Sequence, residues 1–237
     1  PFLGRKRPIH RRLRFQASHH PQKFIRIILA KECEKEIFKK IAATGVKIER
    51  ADAKKAQALA RGGNHQGFLA EVEEFGFGDL ASVKDDKFVP ILYGLTDVGN
   101  IGAIMRSAYA LGADSVIVVA NNLNMAGVVR ASSGAAYELN VVKAADGLSV
   151  LNELKQSGFE IYAASAGGTS FKELELGAKN ALVMGNEEEG IPARALKKCD
   201  CAVSIKMREG WDSLNVSAAF AILCDGILNG RNKREAK

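Results

Sequence analysis

The stretch Ser213-Leu214-Asn215-Val216-Ser217 lies between a polar loop and an apolar segment of helical character. Ser213 suits the N-cap of the last helix, because a serine hydroxyl accepts a hydrogen bond from a free amide of the first turn. A cap does not explain Asn215 and Ser217, since asparagine is a poor helix former that competes for backbone hydrogen bonds. Free N–H groups also point outward at a helix entrance. The stretch therefore predicts either an ordinary cap or one wall of a binding site.

Length and composition are those of a globular protein. The 237 residues are enough for one large domain or two smaller ones, and 47% of them are hydrophobic. No apolar run approaches the roughly 18 residues of a membrane span, and the arginine-rich start lacks the apolar region of a secretory signal. The four cysteines predict reduced thiols, and Cys199-Asp200-Cys201 is too tight for zinc spacing. We expect a cytoplasmic protein with no metal site and no membrane partner.

The net charge of +7 is concentrated in the first third of the chain. Residues 1–87 carry 19 Lys and Arg against 11 Asp and Glu, whereas residues 88–237 carry 15 against 16. Residues 1–14 alone hold six basic residues and no acid. This asymmetry favours a phosphate-rich partner that is bound by the N-terminal part. A basic arm that serves solubility alone is the alternative.

Hydrophobic patterning predicts an α/β protein in two units. A strand–helix–strand–helix–strand order is predicted within 24–72, after an irregular basic segment, 1–22. The Gly-rich and then charged stretch 76–87 is predicted as a linker. From Phe88 strands and helices alternate with short connections. The strands predicted there are 89–93, 115–119, 161–164, 181–184 and 202–205, and the helices are 100–111, 125–134, 147–156, 193–197 and one that begins at Ser213.

Three segments follow strand ends, which is where open parallel sheets bind ligands. The first contains Asn100 and Arg106, but its glycines lack the G-x-G-x-x-G spacing of a dinucleotide site. Arg106 by itself is also explained as a surface residue of an amphipathic helix. In the second segment, Gly185 to Gly190, a glycine at the strand end lets the backbone approach a ligand. The third runs from Ile205 to Ser217.

Together these segments resemble the three signature motifs of the SpoU/TrmH family of RNA 2′-O-methyltransferases, within the SPOUT superfamily. The resemblance covers 88–237. The first motif, N-x-G-A-I-x-R, is matched by Asn100, Gly102, Ala103, Ile104 and Arg106. The second, G-x-E-x-x-G, is matched by Gly185, Glu187 and Gly190, and the third, I-P-M-x-G followed by S-L-N-V-S, by Ile205, Met207 and Ser213 to Ser217. Residues 22–75 resemble the family's substrate-binding domain, with Gly63-Asn64-His65-Gln66-Gly67 similar to its H-Q-G segment.

The resemblance implies a fold and a set of partners. It implies a small ribosomal-protein-like α/β domain that binds the RNA substrate over 1–82, with 1–22 as a basic arm. It also implies a SPOUT α/β domain with a deep trefoil knot over 88–237. S-adenosylmethionine is the implied cofactor. The implied partners are RNA, with ribosomal RNA favoured over transfer RNA, and a second copy of the chain in a homodimer.

The resemblance also implies the residues of an active site. The implied cofactor-binding residues are Gly185, Ile205, Met207, Ser213 and Leu214. The implied catalytic residues are Arg106, which acts on the ribose 2′-hydroxyl, and Asn100, Glu187, Ser213 and Asn215, which position it and the ribose. The expected activity is methyl transfer to a ribose 2′-hydroxyl, in large-subunit ribosomal RNA.

Two positions depart from the family pattern. Lys206 replaces the usual proline and Glu209 the usual glycine in the loop expected to wrap the cofactor. These changes leave open a member of the family that binds RNA but has weakened catalysis. A transfer RNA methyltransferase is a second alternative. A nicotinamide-dependent oxidoreductase is a third, and the missing dinucleotide fingerprint argues against it.

Overall fold

The structure is a computed structural model that describes residues 23–60, 65, 67–210 and 213–235, with side chains as far as 228. The basic arm 1–22 and most of the H-Q-G segment lie outside the described residues. The strands are β1 Phe24–Leu29, β2 Ile48–Arg50, β3 Phe68–Val72, β4 Phe88–Tyr93, β5 Ser115–Val119, β6 Asn140–Ala144, β7 Phe159–Ser170, β8 Lys179–Met184 and β9 Cys201–Ser204. The helices are α1 Lys35–Ala42, α2 Ala53–Leu59, α3 Val98–Leu111, α4 Met125–Ala131, α5 Gly147–Gln156, α6 Ala193–Leu196 and α7 Val216–Glu235.

The first unit is a three-stranded sheet in the order β2-β1-β3. β1 is parallel to β2 and antiparallel to β3. Alternate residues of β1 point to opposite faces, so that Ile27 packs with Ile41 of α1 and Ile28 packs with Ala56 of α2. One helix therefore covers each face, and the predicted strand–helix–strand–helix–strand order is confirmed.

The second unit is a six-stranded parallel sheet in the order β6-β5-β4-β8-β7-β9. Its central strands are buried on both faces, which explains the continuous apolar run of β5. On one face α3, α4 and α7 pack with residues such as Leu92, and on the other α5 and α6 pack with residues such as Ile91. The predicted α/β class is confirmed, with helices on both faces of a parallel sheet.

The sequence analysis missed one strand of this sheet. β6 lies at the sheet edge, and its sequence Asn140-Val141-Val142-Lys143-Ala144 has only a short apolar core, so its pattern is weak. β7 extends beyond the predicted 161–164 as far as Ser170, and its register against β9 shifts between Ala164 and Thr169. This register shift arises from the pairing of two strands, and the residues of one strand alone do not reveal it.

The segment predicted as a linker packs against the large sheet. Gly78 donates a backbone hydrogen bond to Val141 over 2.9 Å, and Val83, in a short 3₁₀ turn, is completely buried in the core of the second unit. The two sheets are thus joined by an ordered connection. All four cysteines are free thiols, and burial raises the pKa of Cys224 to about 12, which keeps that thiol protonated. Among the described helices, none has the length and apolar character that crossing a membrane requires.

Candidate active site

Loops that follow β4, β8 and β9 meet at one edge of the large sheet. β4 and β8 are neighbours in the sheet, so that their carboxyl ends lie side by side. After β4, Asp97 caps α3 by accepting a hydrogen bond from the backbone N–H of Asn100 over 2.6 Å. The cap fixes the entrance of α3 and with it the direction of the Asn100 side chain.

Three side chains from the three motifs form one hydrogen-bond network. Asn100 Nδ2 donates to Glu187 Oε1 over 2.8 Å. Asn215 Nδ2 donates to Asn100 Oδ1 over 3.0 Å and to the same Glu187 oxygen over 3.3 Å. Each amide and the carboxylate therefore contact both of the others. The network connects the entrances of α3 and α7 to the loop after β8.

The last helix begins two residues later than the predicted cap requires. α7 starts at Val216, and Asn215 Oδ1 accepts hydrogen bonds from the Ser217 N–H over 3.0 Å and from the Ser217 hydroxyl over 2.6 Å. The prediction of Ser213 as N-cap was therefore wrong, because the asparagine side chain satisfies the free amide instead. Asn215 uses its oxygen for the helix and its nitrogen for the network, which explains an asparagine at this position.

The loop after β8 is a tight turn held by Asn186, which the sequence analysis did not single out. Asn186 and Gly190 exchange backbone hydrogen bonds of 3.1 and 2.9 Å, and Asn186 Nδ2 donates to the Gly94 carbonyl over 3.0 Å. A Cβ at Gly185 would lie 2.4 Å from the carbonyl carbon of Gly190, so only glycine fits there. An asparagine beside a strand-end glycine is the sequence signal that could have found this residue.

A cavity of about 910 Å³ opens beside the network. All five residues predicted to bind a cofactor lie in its wall: Gly185, Ile205, Met207, Ser213 and Leu214. Glu187 and Asn215 contribute to the same wall. Leu214 keeps 39% of its surface exposed and lies in the cavity wall, so that it offers apolar surface to a ligand there. Of the two departures from the family pattern, Lys206 lies in this wall.

Arg106 lies six residues, about 1.7 turns, beyond Asn100 on α3, and its side chain is exposed. No described residue makes a hydrogen bond or an ion pair with its guanidinium, so the structure does not bring Arg106 into the network. Gly102 of the same motif has a packing role, since a Cβ there would lie 2.3 Å from the Cβ of Ala131 on α4. The motif thus combines on one helix a network residue, a helix-packing residue and an exposed cation that no described residue pairs with.

The fold and the cavity define an α/β protein of the open parallel-sheet class, with a ligand cavity at the carboxyl edge of the sheet. The chain belongs to the SpoU rRNA Methylase family, whose model matches residues 87–225. Residues 8–77 match a second model, described as RNA 2′-O ribose methyltransferase substrate binding. The resemblance seen in the three motifs is therefore confirmed, and the chain is an enzyme of the RNA 2′-O-ribose methyltransferase class. The oxidoreductase alternative is excluded.

Named relatives cover most of the chain. A 23S rRNA (guanosine-2′-O-)-methyltransferase, RlmB, of Yersinia pestis is 30% identical over 225 residues, which are 89% of this chain and 91% of that protein. An uncharacterized tRNA/rRNA methyltransferase of a Synechocystis strain is 30% identical over 199 residues, 80% of this chain. The alignment spans only about half of that relative, 52% of its length.

Solved structures show the same fold. The SpoU methyltransferase AviRb from Streptomyces viridochromogenes, in complex with AdoMet, has a TM-score of 0.77 and 22% identity, and the match covers 93% of this chain and 88% of that one. A crystal structure titled RNA 2′-O ribose methyltransferase has a TM-score of 0.75 and 25% identity, with 93% and 87% covered. At these identities the likeness supports the arrangement of strands and helices rather than individual residue roles.

Proposed function

We propose that the chain uses S-adenosylmethionine to methylate a ribose 2′-hydroxyl in large-subunit ribosomal RNA. The observation that carries the proposal is the network of Asn100, Glu187 and Asn215, which joins all three motifs at the wall of the cavity. When bound, the cofactor supplies an electrophilic methyl group on a sulfonium. The remaining work, which is alignment and charge stabilisation, falls to side chains of this chain.

The cavity residues fit S-adenosylmethionine. Apolar side chains of Ile205, Leu214 and Val216 provide a slot for a flat adenine ring, and Gly185 leaves the backbone uncovered for hydrogen bonds. The volume of about 910 Å³ is sufficient for a ligand of this size. Glu187 in the wall adds a negative charge that suits a ligand with a sulfonium and an ammonium group.

We assign Arg106 to the 2′-oxygen of the ribose. Arginine side chains stay protonated at neutral pH, so Arg106 does not serve as a general base. Its exposed guanidinium instead stabilises the developing alkoxide and binds the adjacent phosphate, while water or a phosphate oxygen takes the proton. Asn100, Glu187 and Asn215 hold α3, on which Arg106 lies, and Ser213 contributes to the cavity wall beside them.

Ribosomal RNA is the favoured substrate. The match of residues 8–77 to a substrate-binding model and the excess of basic residues in 1–87 support RNA binding by the N-terminal unit. Relatives that align over most of the chain bear the name 23S rRNA (guanosine-2′-O-)-methyltransferase. One alternative is a transfer RNA substrate. The other is a family member that binds RNA but has weakened catalysis, because Lys206 alters the cavity wall.

The roles of the two domains and the oligomeric state are part of the same proposal. We assign residues 1–82 to substrate binding, with 1–22 as a basic arm, and residues 88–237 to a SPOUT catalytic domain with the family's trefoil knot. A homodimer in the cytoplasm completes the proposal, since ribosomal RNA is found there and family members share their sites between two subunits. Sedimentation of the purified chain would measure the oligomeric state.

Calorimetric titration with S-adenosylmethionine tests the proposed cofactor directly. Leu214→Ala is expected to weaken its binding about 10- to 50-fold, because each methylene removed from an apolar contact is worth about 0.8 kcal/mol. The matched control is Ile25→Ala, which shortens another exposed aliphatic side chain, in the small sheet. No heat of binding to the wild-type chain would refute the cofactor assignment. Mapping of 2′-O-methylated nucleotides in RNA from a strain that lacks the protein would identify the substrate.

Asn215→Asp separates the network from the helix cap. The aspartate oxygen still accepts from the Ser217 N–H, so the helix cap is expected to be retained. Its second oxygen replaces the amide donor and faces two acceptors, Glu187 Oε1 and Asn100 Oδ1. We expect methyl transfer to fall on the order of 100-fold, the cost of misplacing a catalytic group. Asn152→Asp, an exposed substitution on α5, controls for the added charge, and equal rates for the two variants would contradict the network's role.

A further inference from the structure

A second cavity, of about 520 Å³, lies between the end of the small sheet and helix α4. Among the described residues, none belongs to the walls of both cavities. Its volume falls within the roughly 300–1,000 Å³ of small-ligand sites. Its wall consists of Glu71, Val72, Glu73, Glu74, Phe75, Phe77, Leu123, Asn124, Met125, Ala126, Val129 and Tyr137.

Aromatic rings form one side of this cavity. The Phe75 ring stacks on Tyr137 with centroids 5.5 Å apart and planes inclined by 28°. The Phe77 ring meets Phe75 edge to face at 5.4 Å, and Phe77 keeps 43% of its surface exposed. Exposed aromatic rings supported by others are the surfaces on which unpaired RNA bases stack.

The polar groups of the cavity wall are complementary to the hydrogen-bonding edge of one kind of nucleobase. Glu73 and Glu74 are exposed carboxylates, whereas Glu71 is paired with Arg26. Among the described wall residues there is no lysine or arginine, so a phosphate is repelled and a group with N–H donors is favoured. Asn124 uses Oδ1 to accept from the Gly127 N–H over 3.0 Å, and no described residue accepts from its Nδ2, which can donate to a ligand.

Guanine matches this arrangement of donors and acceptors. Its Watson–Crick edge offers two adjacent N–H donors, N1 and N2, to a carboxylate and one acceptor, O6, to an amide donor. Adenine, cytosine and uracil lack the pair of adjacent donors beside an acceptor. Carboxylates beside a stacking surface therefore favour guanine over the other three bases.

The cavity also lies along the edge that carries the first site. Asn124 caps α4 after β5, and β5 is the sheet neighbour of β4, which leads into Asn100. The opposite wall belongs to the end of the small sheet and the connection after it. An RNA strand held by the first unit and directed to the methylation site would pass this cavity.

We propose that the second cavity binds an unpaired guanine base of the RNA, stacked on Phe77 and hydrogen-bonded to Glu73, Glu74 and Asn124. The inference deepens the proposed function, on which it rests for the nature of the ligand. The base bound there positions the RNA and selects its sequence, and it is read separately from the nucleotide at the first cavity.

Three fluorescein-labelled pentanucleotides, UUGUU, UUIUU and UUAUU, test the proposal with the full chain by fluorescence anisotropy. Inosine (I) lacks only the 2-amino donor of guanosine. S-adenosylhomocysteine is present at saturation, so that the first cavity does not take the purine. UUGUU is expected to bind more tightly than the other two. Phe77→Ala is expected to weaken UUGUU about 5- to 150-fold, which is the factor that corresponds to about 1–3 kcal/mol per stacked base.

Two further variants make the result specific. The double variant Glu73→Gln, Glu74→Gln should reduce the preference for guanosine over inosine, and Phe38→Ala, which removes an exposed ring from α1, should retain it. Equal binding of the three pentanucleotides by the wild-type chain would overturn the proposal, as would wild-type affinity for UUGUU in Phe77→Ala.

The failure of this inference is distinguishable from that of the proposed function. Titration of the wild-type chain with S-adenosylhomocysteine alone reports on the first cavity. Binding there without a base preference overturns the guanine site only. Absence of that binding overturns the cofactor assignment, whereas a guanosine preference that depends on Glu73 and Glu74 would still support the second site.

Discussion

Arg106→Lys is expected to lower the kcat of methyl transfer about 100- to 1,000-fold, the usual cost of removing one preorganised donor from a developing oxyanion. Lysine keeps the positive charge but lacks the planar pair of donors that contact a 2′-oxygen and a phosphate together. The Arg106 side chain is exposed and makes no hydrogen bond to a described residue, so the variant should fold with an unchanged Tm. Single-turnover transfer of a labelled methyl group to ribosomal RNA measures the effect.

Arg194→Lys is the matched control for this variant. It makes the same substitution at an exposed arginine on α6, which packs on the other face of the sheet. We expect it to retain the wild-type rate. S-adenosylmethionine should bind equally to the Arg106 variant and the wild type, because Arg106 does not line the first cavity. Near wild-type methylation by Arg106→Lys would show that charge alone is sufficient and would refute the assigned role.

Gly185→Ala is expected to abolish measurable cofactor binding and to lower the stability of the fold. The new Cβ would lie 2.4 Å from the Gly190 carbonyl carbon and 2.6 Å from the Ile191 nitrogen, both of which are backbone atoms. The turn could move away from the new Cβ only by breaking the backbone hydrogen bonds between Asn186 and Gly190. Overpacking of this kind costs about 1–3 kcal/mol, or roughly 2–12 °C in Tm for a chain of this length.

Gly76→Ala provides the comparison for the glycine substitution. A Cβ at Gly76 meets no atom within 4 Å, so the same chemical change should leave the Tm and cofactor affinity unaltered. Thermal denaturation and calorimetry on the two variants measure both effects. Wild-type cofactor affinity in Gly185→Ala would mean that the turn after β8 does not form the cofactor pocket.

The resemblance to the family was visible in the sequence because each motif residue has its own local chemical reason for its position. Asn100, Glu187 and Asn215 are polar residues at strand ends and helix entrances, where local patterns leave few other reasons for them. The continuous apolar run of β5 likewise predicted a parallel sheet, since a strand buried on both faces has no polar side to alternate. Family membership and fold class therefore followed from the chain's residues and their spacing.

Other features depend on pairing between distant segments. β6 has a weak pattern, and its place at the sheet edge comes from its pairing with β5. Ser213 and Asn215 are both good N-cap residues, and the folded chain selects Asn215 because the helix starts at Val216. The role of Gly102 depends on contact with Ala131 of another helix, which no spacing within the motif reveals.

The five residues Ser213 to Ser217 illustrate the division. Their types and order marked a helix entrance with more polar groups than a cap requires, and together with the other two motifs they carried the resemblance to the family. The partners of Asn215 lie 115 and 28 positions away, at Asn100 and Glu187, and only the parallel sheet, by placing the ends of β4 and β8 side by side, brings them within hydrogen-bond distance. Neighbouring residues determine local features such as a helix cap, whereas a hydrogen-bond network across three loops forms only when the chain folds.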